Sequence, residues 1–202
     1  YHKMLGNNYN LQSEIYFGKD ENKLFKKLLD SSKFYMEYGS GSSTVLAEKK
    51  NKKFLSIESD KGFYLFMRQY TKNIKFKDIG YTDYYSHPIL FKFRKYFISS
   101  RAKKMCYEPL IYLNKNHIFP DFILIDGRYR VLCALYLYKF LKNKKKSFRL
   151  IIDDYRDRIT YHILSKFYKI KIIGRFGYSE NLIIVNKREI DFYIKFFSLH
   201  SR

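Results

Sequence analysis

The sequence predicts an α/β domain built on a doubly wound, mainly parallel sheet with an antiparallel hairpin at its C-terminal edge. Three observations carry that expectation. Short apolar runs alternate along the chain with longer segments of helical periodicity. The runs are apolar at consecutive positions, Phe122-Ile123-Leu124-Ile125 being the clearest, as in strands covered on both faces. The last two extended runs, residues 167–173 and 181–186, are close enough in sequence to pair antiparallel, joined by GRFGYSEN.

Each element follows in order. Residues 21–32 place Leu24, Phe25, Leu28 and Leu29 at helical spacing, within a helical lead-in over residues 1–32. FYMEY is a first strand, GSGSST a turn and VLAEKK a helix. Phe54–Ile57 is a second strand that runs into Glu58-Ser59-Asp60. Residues 61–71 are helical, with Phe63, Phe66, Met67 and Tyr70 on one face, and Ile74–Ile79 is a third strand. A long aromatic and basic segment, residues 80–107, interrupts the alternation as an inserted lid. Residues 108–117 form a short helix, Phe122–Ile125 a fourth strand and RYRVLCALYLYKFLK a strong helix. Phe148–Ile152 is a fifth strand, residues 156–166 are helical, and residues 188–199 close the chain as a helix. No repeat or linker divides residues 1–202, which therefore read as a single domain.

Composition narrows the class. The 202 residues carry 40 Lys+Arg against 19 Asp+Glu, a formal charge of +21, with 46% hydrophobic and 20% aromatic residues. A disordered basic tail would lack that apolar content. Two cysteines, Cys106 and Cys133, are too few for a disulfide scaffold or a four-cysteine zinc site. No apolar stretch is long enough to span a bilayer and no leader is evident, so a reducing cytoplasm is expected. The excess charge reads either as a polyanion partner or as compositional drift. Two windows, Tyr84–Tyr107 and Gly127–Ile152, contain no acid at all.

In doubly wound sheets, ligands sit at the carboxyl ends of strands near the point where strand order reverses. Here those ends carry acids: Glu37, Glu58, Asp78, Asp126 and the pair Asp153-Asp154. Gly39 and Gly41 let a backbone approach a ligand closely. Ser42, Ser43 and Thr44 can cap the following helix and present N–H groups to an anionic group. A bare strand–helix turn would use the same residues. The turn is no P-loop and lacks the third glycine of the dinucleotide fingerprint. Glu37 would repel a pyrophosphate and suits an ammonium instead. Glu58, about 20 residues on, stands where a carboxylate accepts ribose hydroxyls. Asp78 is placed to accept from an adenine amino group.

EYGSGSST, SIESD, KDIG and an Asp-bearing fourth strand resemble the class I S-adenosylmethionine-dependent methyltransferases, over about residues 33–186. DFILIDGRYRVLCAL and LIIDDYRDRITY are similar to a little-characterised bacterial branch met among surface-polysaccharide genes. The resemblance implies a Rossmann-like fold and S-adenosylmethionine as cofactor. Glu37, Gly39, Ser40, Gly41 and Ser42 would hold its methionine part, Glu58 its ribose, and Asp78 and Ile79 its adenine, with Asp126 bordering the same site.

Asp126, Asp153 and Asp154 lie at neighbouring strand ends, similar to the acids that bind Mg²⁺ in metal-dependent catechol-type O-methyltransferases. Hard oxygen ligands suit such a cation. The alternative is that the acids cap a helix and pair with Arg128, Arg156 or Arg158. Asp126, Asp154 and His87 are the expected catalytic groups. Arg128, Arg130 and Tyr155 are expected at the acceptor. The expected reaction is O-methylation of a small-molecule or glycan hydroxyl. A nucleic-acid (RNA) methyltransferase and a catalytically silent binding module are the alternatives. Against the nucleic-acid reading, neither an Asn/Asp-Pro-Pro-aromatic motif nor a Pro-Cys nucleophile is present. Residues 84–107 and 139–149 are the expected contacts with an anionic partner or with the inner face of the membrane, where the chain would be peripheral.

Overall fold

The computed structural model describes residues 9, 11, 15, 17–76 and 100–200. In order these form α1 (Lys19–Ser31), β1 (Tyr35–Tyr38), α2 (Ser42–Lys49), β2 (Phe54–Glu58), α3 (Lys61–Met67) and β3 (Ile74–Phe76). Then follow α4 (Glu108–Lys115), β4 (Phe122–Ile125), α5 (Arg130–Lys142), β5 (Arg149–Ile152), a 3-10 segment (Ile159–Lys166), β6 (Lys171–Ile173), β7 (Phe176–Ser179) and α6 (Lys187–His200). Residues 100–106 are also helical. Asp78, Ile79, His87 and most of the segment expected as a lid lie outside the described residues.

The strands make one sheet in the order β3-β2-β1-β4-β5-β7-β6. The first five run parallel, with Tyr35 opposite both Phe54 and Phe122, while β7 pairs antiparallel with β5 and with β6. This is the doubly wound, Rossmann-like α/β fold that the apolar runs predict. Order reverses between β1 and β4: β2 and β3 extend the sheet one way and β5 the other.

Side-chain alternation builds two apolar layers. Tyr35, Phe122, Leu124 and Ile151 face α1 and α2, where Phe25, Leu28, Leu29 and Ala47 meet them. Met36, Tyr38, Ile123, Ile125 and Ile152 face the opposite way, onto α4, α5 and α6. Asp20 and Glu21 in its first turn complement the α1 dipole. Burying Phe25, Leu28 and Leu29 contributes about 2 kcal/mol each. No helix among the described residues is long and apolar enough to cross a membrane.

The C-terminal hairpin is tighter than the sequence suggests. Its second strand is Phe176–Ser179 rather than residues 181–186, and the connection is only Gly174-Arg175. Gly174 sits at φ 57°, a value suited to the first central position of a right-twisted two-residue turn. The apolar run 181–186 satisfies its backbone elsewhere. Lys169 N donates to Asn181 O and Ile183 N to Phe167 O. Tyr138 Oη donates to Ile183 O and accepts from Val185 N. Residues 159–166, expected as part of an α-helix, wind as a 3-10 segment.

Candidate functional site

The site is built where β1 and β4 diverge. Gly39 follows β1 with φ 93°, and Gly127 follows β4. A Cβ on Gly39 would lie 2.7 Å from Gly127 N and Cα, and one on Gly127 would lie 2.8 Å from Gly39 N. The two backbones therefore meet face to face, and only glycine fits at either position. Gly41, two residues on, faces open space, with nothing within 4 Å of where a Cβ would stand.

Glu37 holds this turn from inside the sheet. Fully buried, it accepts from Tyr35 Oη at 2.7 Å, from Ser43 Oγ at 2.7 Å and from Thr44 Oγ1. Thr44 Oγ1 in turn accepts from Gly41 N at 2.9 Å. Burial pushes the Glu37 carboxyl above its usual range, while the Thr44, Ser43, Tyr35 and Ser56 hydroxyls pull it back. Expected to hold an ammonium, Glu37 instead fastens the first turn of α2 to β1.

Glu58 braces the same turn from β2. Its Oε2 accepts from Ser40 N at 3.1 Å, and its Oε1 accepts from Ser59 N at 2.6 Å and Asp60 N at 2.8 Å. A carboxylate has about four lone-pair sites, so one remains on Oε2 for a ligand hydroxyl. Asp60 caps α3 through Phe63 N, and Tyr9 lies against Gly62, Phe63 and Phe66. Ser42 opens α2 beside this turn.

Across the gap, the ends of β4 and β5 bring Asp126, Asp153 and Asp154 together, as their strand positions predict. Two arginines clasp them. Arg130 reaches Asp126 at 2.9 Å, Asp154 at 3.1 Å and Asp153 at 3.3 Å, and also donates to the Gly127 and Asp153 carbonyls. Arg175, from the hairpin turn, reaches Asp153 at 2.6 Å and also pairs with Asp154. Arg158 adds a longer contact to Asp154. Asp154 adopts φ 57°, unusual for a residue with a Cβ, and this turns its carboxylate back into the cluster.

This arrangement corrects the Mg²⁺ expectation. Each of the three aspartates gives at least one carboxylate oxygen to a guanidinium. No group of three or more His, Cys, Asp or Glu side chains among the described residues is arranged to hold a metal. It also corrects the expectation for Arg130, which is committed to the aspartates rather than to a substrate anion.

Burial and then the Asp153 charge push the Asp126 carboxyl up to about 8, against the downward pull of Arg130 and Arg175. A hydrogen bond between the two carboxyls acts in the same direction. Asp153 Oδ1 is buried and without a hydrogen-bond partner among the described residues. Asp126 itself is about one-third exposed at the end of β4.

Other expected residues fall elsewhere. Tyr155 is a core residue, 3% exposed, packed under Gly177 and against His162, and not part of an acceptor surface. Arg128 is exposed beside the β4 end. Sequence reasoning misses two residues that matter. Arg175 is one. The other is Glu21, whose Oε1 accepts from Arg175 N at 2.9 Å and whose carboxylate fills the space beside Gly18 and Gly174. The Gly-Arg turn between two extended runs is the sequence signal that would have found Arg175.

No protein-family model matches the chain. No curated protein matches it either. Among solved structures it is similar to a methyltransferase-like protein from Silicibacter pomeroyi DSS-3, with a TM-score of 0.68 and 24% sequence identity over 92% of this chain and 97% of that one. With strand order, glycine contact and solved neighbour in agreement, the chain has a methyltransferase-like Rossmann-type fold.

Proposed function

We propose that the chain is an S-adenosylmethionine-dependent methyltransferase that modifies a hydroxyl of a small molecule or glycan. One observation carries the reading: in a methyltransferase-like fold, the two strands flanking the order reversal meet through glycine backbones, with Gly41 facing open space and Asp126 one-third exposed beside them. The cofactor fits the Gly39–Ser42 turn, where Gly41 leaves room for a ligand to rest on the backbone. Glu58 keeps one acceptor site for a ribose hydroxyl. Bound there, the cofactor supplies an electrophilic methyl group on sulfonium sulfur.

The chain's own groups do the rest. Glu37 and Glu58 hold the turn rigid, so little ordering is needed on binding. Asp126 stands at the rim, where it exchanges a proton with an acceptor hydroxyl. Arg130 and Arg175 pair with the buried Asp153 beside it and hold the cluster in place. A base with a carboxyl near 8 gains activity as pH rises toward that value.

The test is calorimetric titration with S-adenosylhomocysteine. Micromolar binding is expected, with Gly41→Val weakening it at least tenfold while leaving the melting temperature unchanged. A folded chain that shows no heat of binding overturns the proposal. Once an acceptor hydroxyl is in hand, Asp126→Asn should lower kcat by roughly 10²-fold and remove the rise toward pH 8.

A further inference from the structure

The opposite end of the sheet, where the strands begin, has a different character. A cavity of about 820 Å³ opens there, lined by Lys52, Lys53, Arg68, Lys72 and Lys75 together with Phe34, Tyr64 and Tyr112. Through Ile118 it adjoins a second cavity of about 210 Å³ that includes His117, Phe119, Lys144 and Lys146. Through Asn114 and Lys144 that one adjoins a third, of about 500 Å³, which adds Tyr107, Tyr136, Lys139 and Phe140. Each shares lining residues with the next, so the three form one track around α4.

Eight lysines and arginines line the track, and no carboxylate does among the described residues. Of the eight, only Lys139 pairs with an acid among the described residues, Asp191. Others rest on neutral partners. Lys75 lies 4.0 Å from the Tyr112 ring, and Lys144 and Lys146 lie 5.3 Å from the Phe140 and Phe119 rings. Lys52 donates to the Asp30 and Ser32 carbonyls. Cations held on ring faces without counter-charges attract a polyanion, and rings between them accept flat groups.

We propose that this track is a docking surface for single-stranded nucleic acid. Its length suits a polymer rather than one small anion. The alternation of cations with Tyr112, Phe119, Phe140 and Tyr107 suits a backbone that carries one phosphate and one stackable base per unit. About 13 Å of strand separates it from the aspartate end, so it tethers the strand rather than presenting it to the crevice. The surface stands whether or not the chain transfers methyl groups.

Fluorescence anisotropy with a labelled oligouridylate of about 15 nucleotides tests it. At about 150 mM salt, micromolar affinity is expected, falling steeply as salt rises. Lys53→Glu/Lys72→Glu/Lys146→Glu should weaken binding at least 30-fold. Lys23→Glu/Lys26→Glu/Lys27→Glu, an equal charge change on α1 across the sheet, should weaken it less than fivefold. Tyr112→Ala should lose about tenfold, and Tyr112→Phe should retain affinity. On the unaltered chain, photocrosslinking with a 4-thiouridine oligonucleotide should map to residues 107–119 and 136–146. Binding absent at that salt, equal loss from the α1 variant, or crosslinks confined to other segments overturns the proposal. So does an acidic polysaccharide that binds as tightly while Tyr112→Ala changes nothing, which would mark a generic polyanion surface.

Discussion

The two ends of the parallel sheet solve the problem of charge in opposite ways. Where the strands end, three aspartates converge and two guanidinium groups clamp them, so every charge has a partner and the backbone is fixed by glycine contact. Where the strands begin, cations gather with almost no acids and are held by rings and carbonyls. The first end is preorganised and self-neutralised, as a site for chemistry must be. The second leaves its charge to a partner from outside. A net +21 spread evenly over the surface would do neither.

The largest effect that would break this contrast is at the glycine contact. Gly39→Ala would place a methyl 2.7 Å from backbone atoms that cannot rotate away, at a positive φ as well. We expect at least about 3 kcal/mol of lost stability in urea denaturation, because both a clash and strain are introduced. Gly41→Ala, next to it and unobstructed, should change stability by less than about 0.5 kcal/mol.

Next comes the clamp. Arg175→Met leaves Asp153 buried with only Arg130 opposing its charge. The expected cost is about 2 kcal/mol, below the full value of a buried pair because Arg175 is one-third exposed. The same change removes a cation that lowers the Asp126 carboxyl, which should titrate higher in a carbon-13 NMR experiment.

The raised Asp126 carboxyl gives a pH dependence whose sign is fixed. Asp126 loses its proton near 3.8 when unfolded and near 8 when folded. Between those values the folded chain binds the extra proton, so this contribution is greatest in acid and is lost as pH rises toward 8. The slope is at most about 1.4 kcal/mol per pH unit. Thermal melts of Asp126→Asn should lack it.

The smallest effect belongs to the basic end. Lys53→Ala and Lys72→Ala are exposed truncations without carboxylate partners, so each should shift stability by less than about 0.5 kcal/mol. A larger loss would mean that these cations hold the fold rather than wait for a partner.

Much of the acidic end is legible in the sequence because a parallel strand advertises its own terminus. Phe122–Ile125 and Phe148–Ile152 are apolar runs, and the acids that follow them must face the crevice. Arg175 is legible only through the Gly-Arg turn, because the strand after it, Phe176–Ser179, contains a glycine and a serine, whereas the run 181–186 looks more like a strand and is not one. Burial in β7 comes from its place between β5 and β6, which composition does not encode. The basic end is visible only in part. The acid-free window 127–152 supplies Lys139, Lys144 and Lys146. Lys52, Lys53, Arg68, Lys72 and Lys75 join them only once strand order brings the starts of β2 and β3 beside α4. The role of Glu37 is hidden for a related reason: only the register places Ser43, Thr44 and Tyr35 around it.

The bond between Glu21 and the hairpin turn spans 154 residues. Closing so long a loop costs chain entropy before any contact repays it, so this contact belongs late in folding. On a ribosome, β1 to β5 can pair while Arg175 is still being made. The aspartates would then have Arg130 alone against them. The finished charge balance arrives only when the hairpin folds back onto the first helix, which makes the site depend on a long-range closure as much as on local sequence.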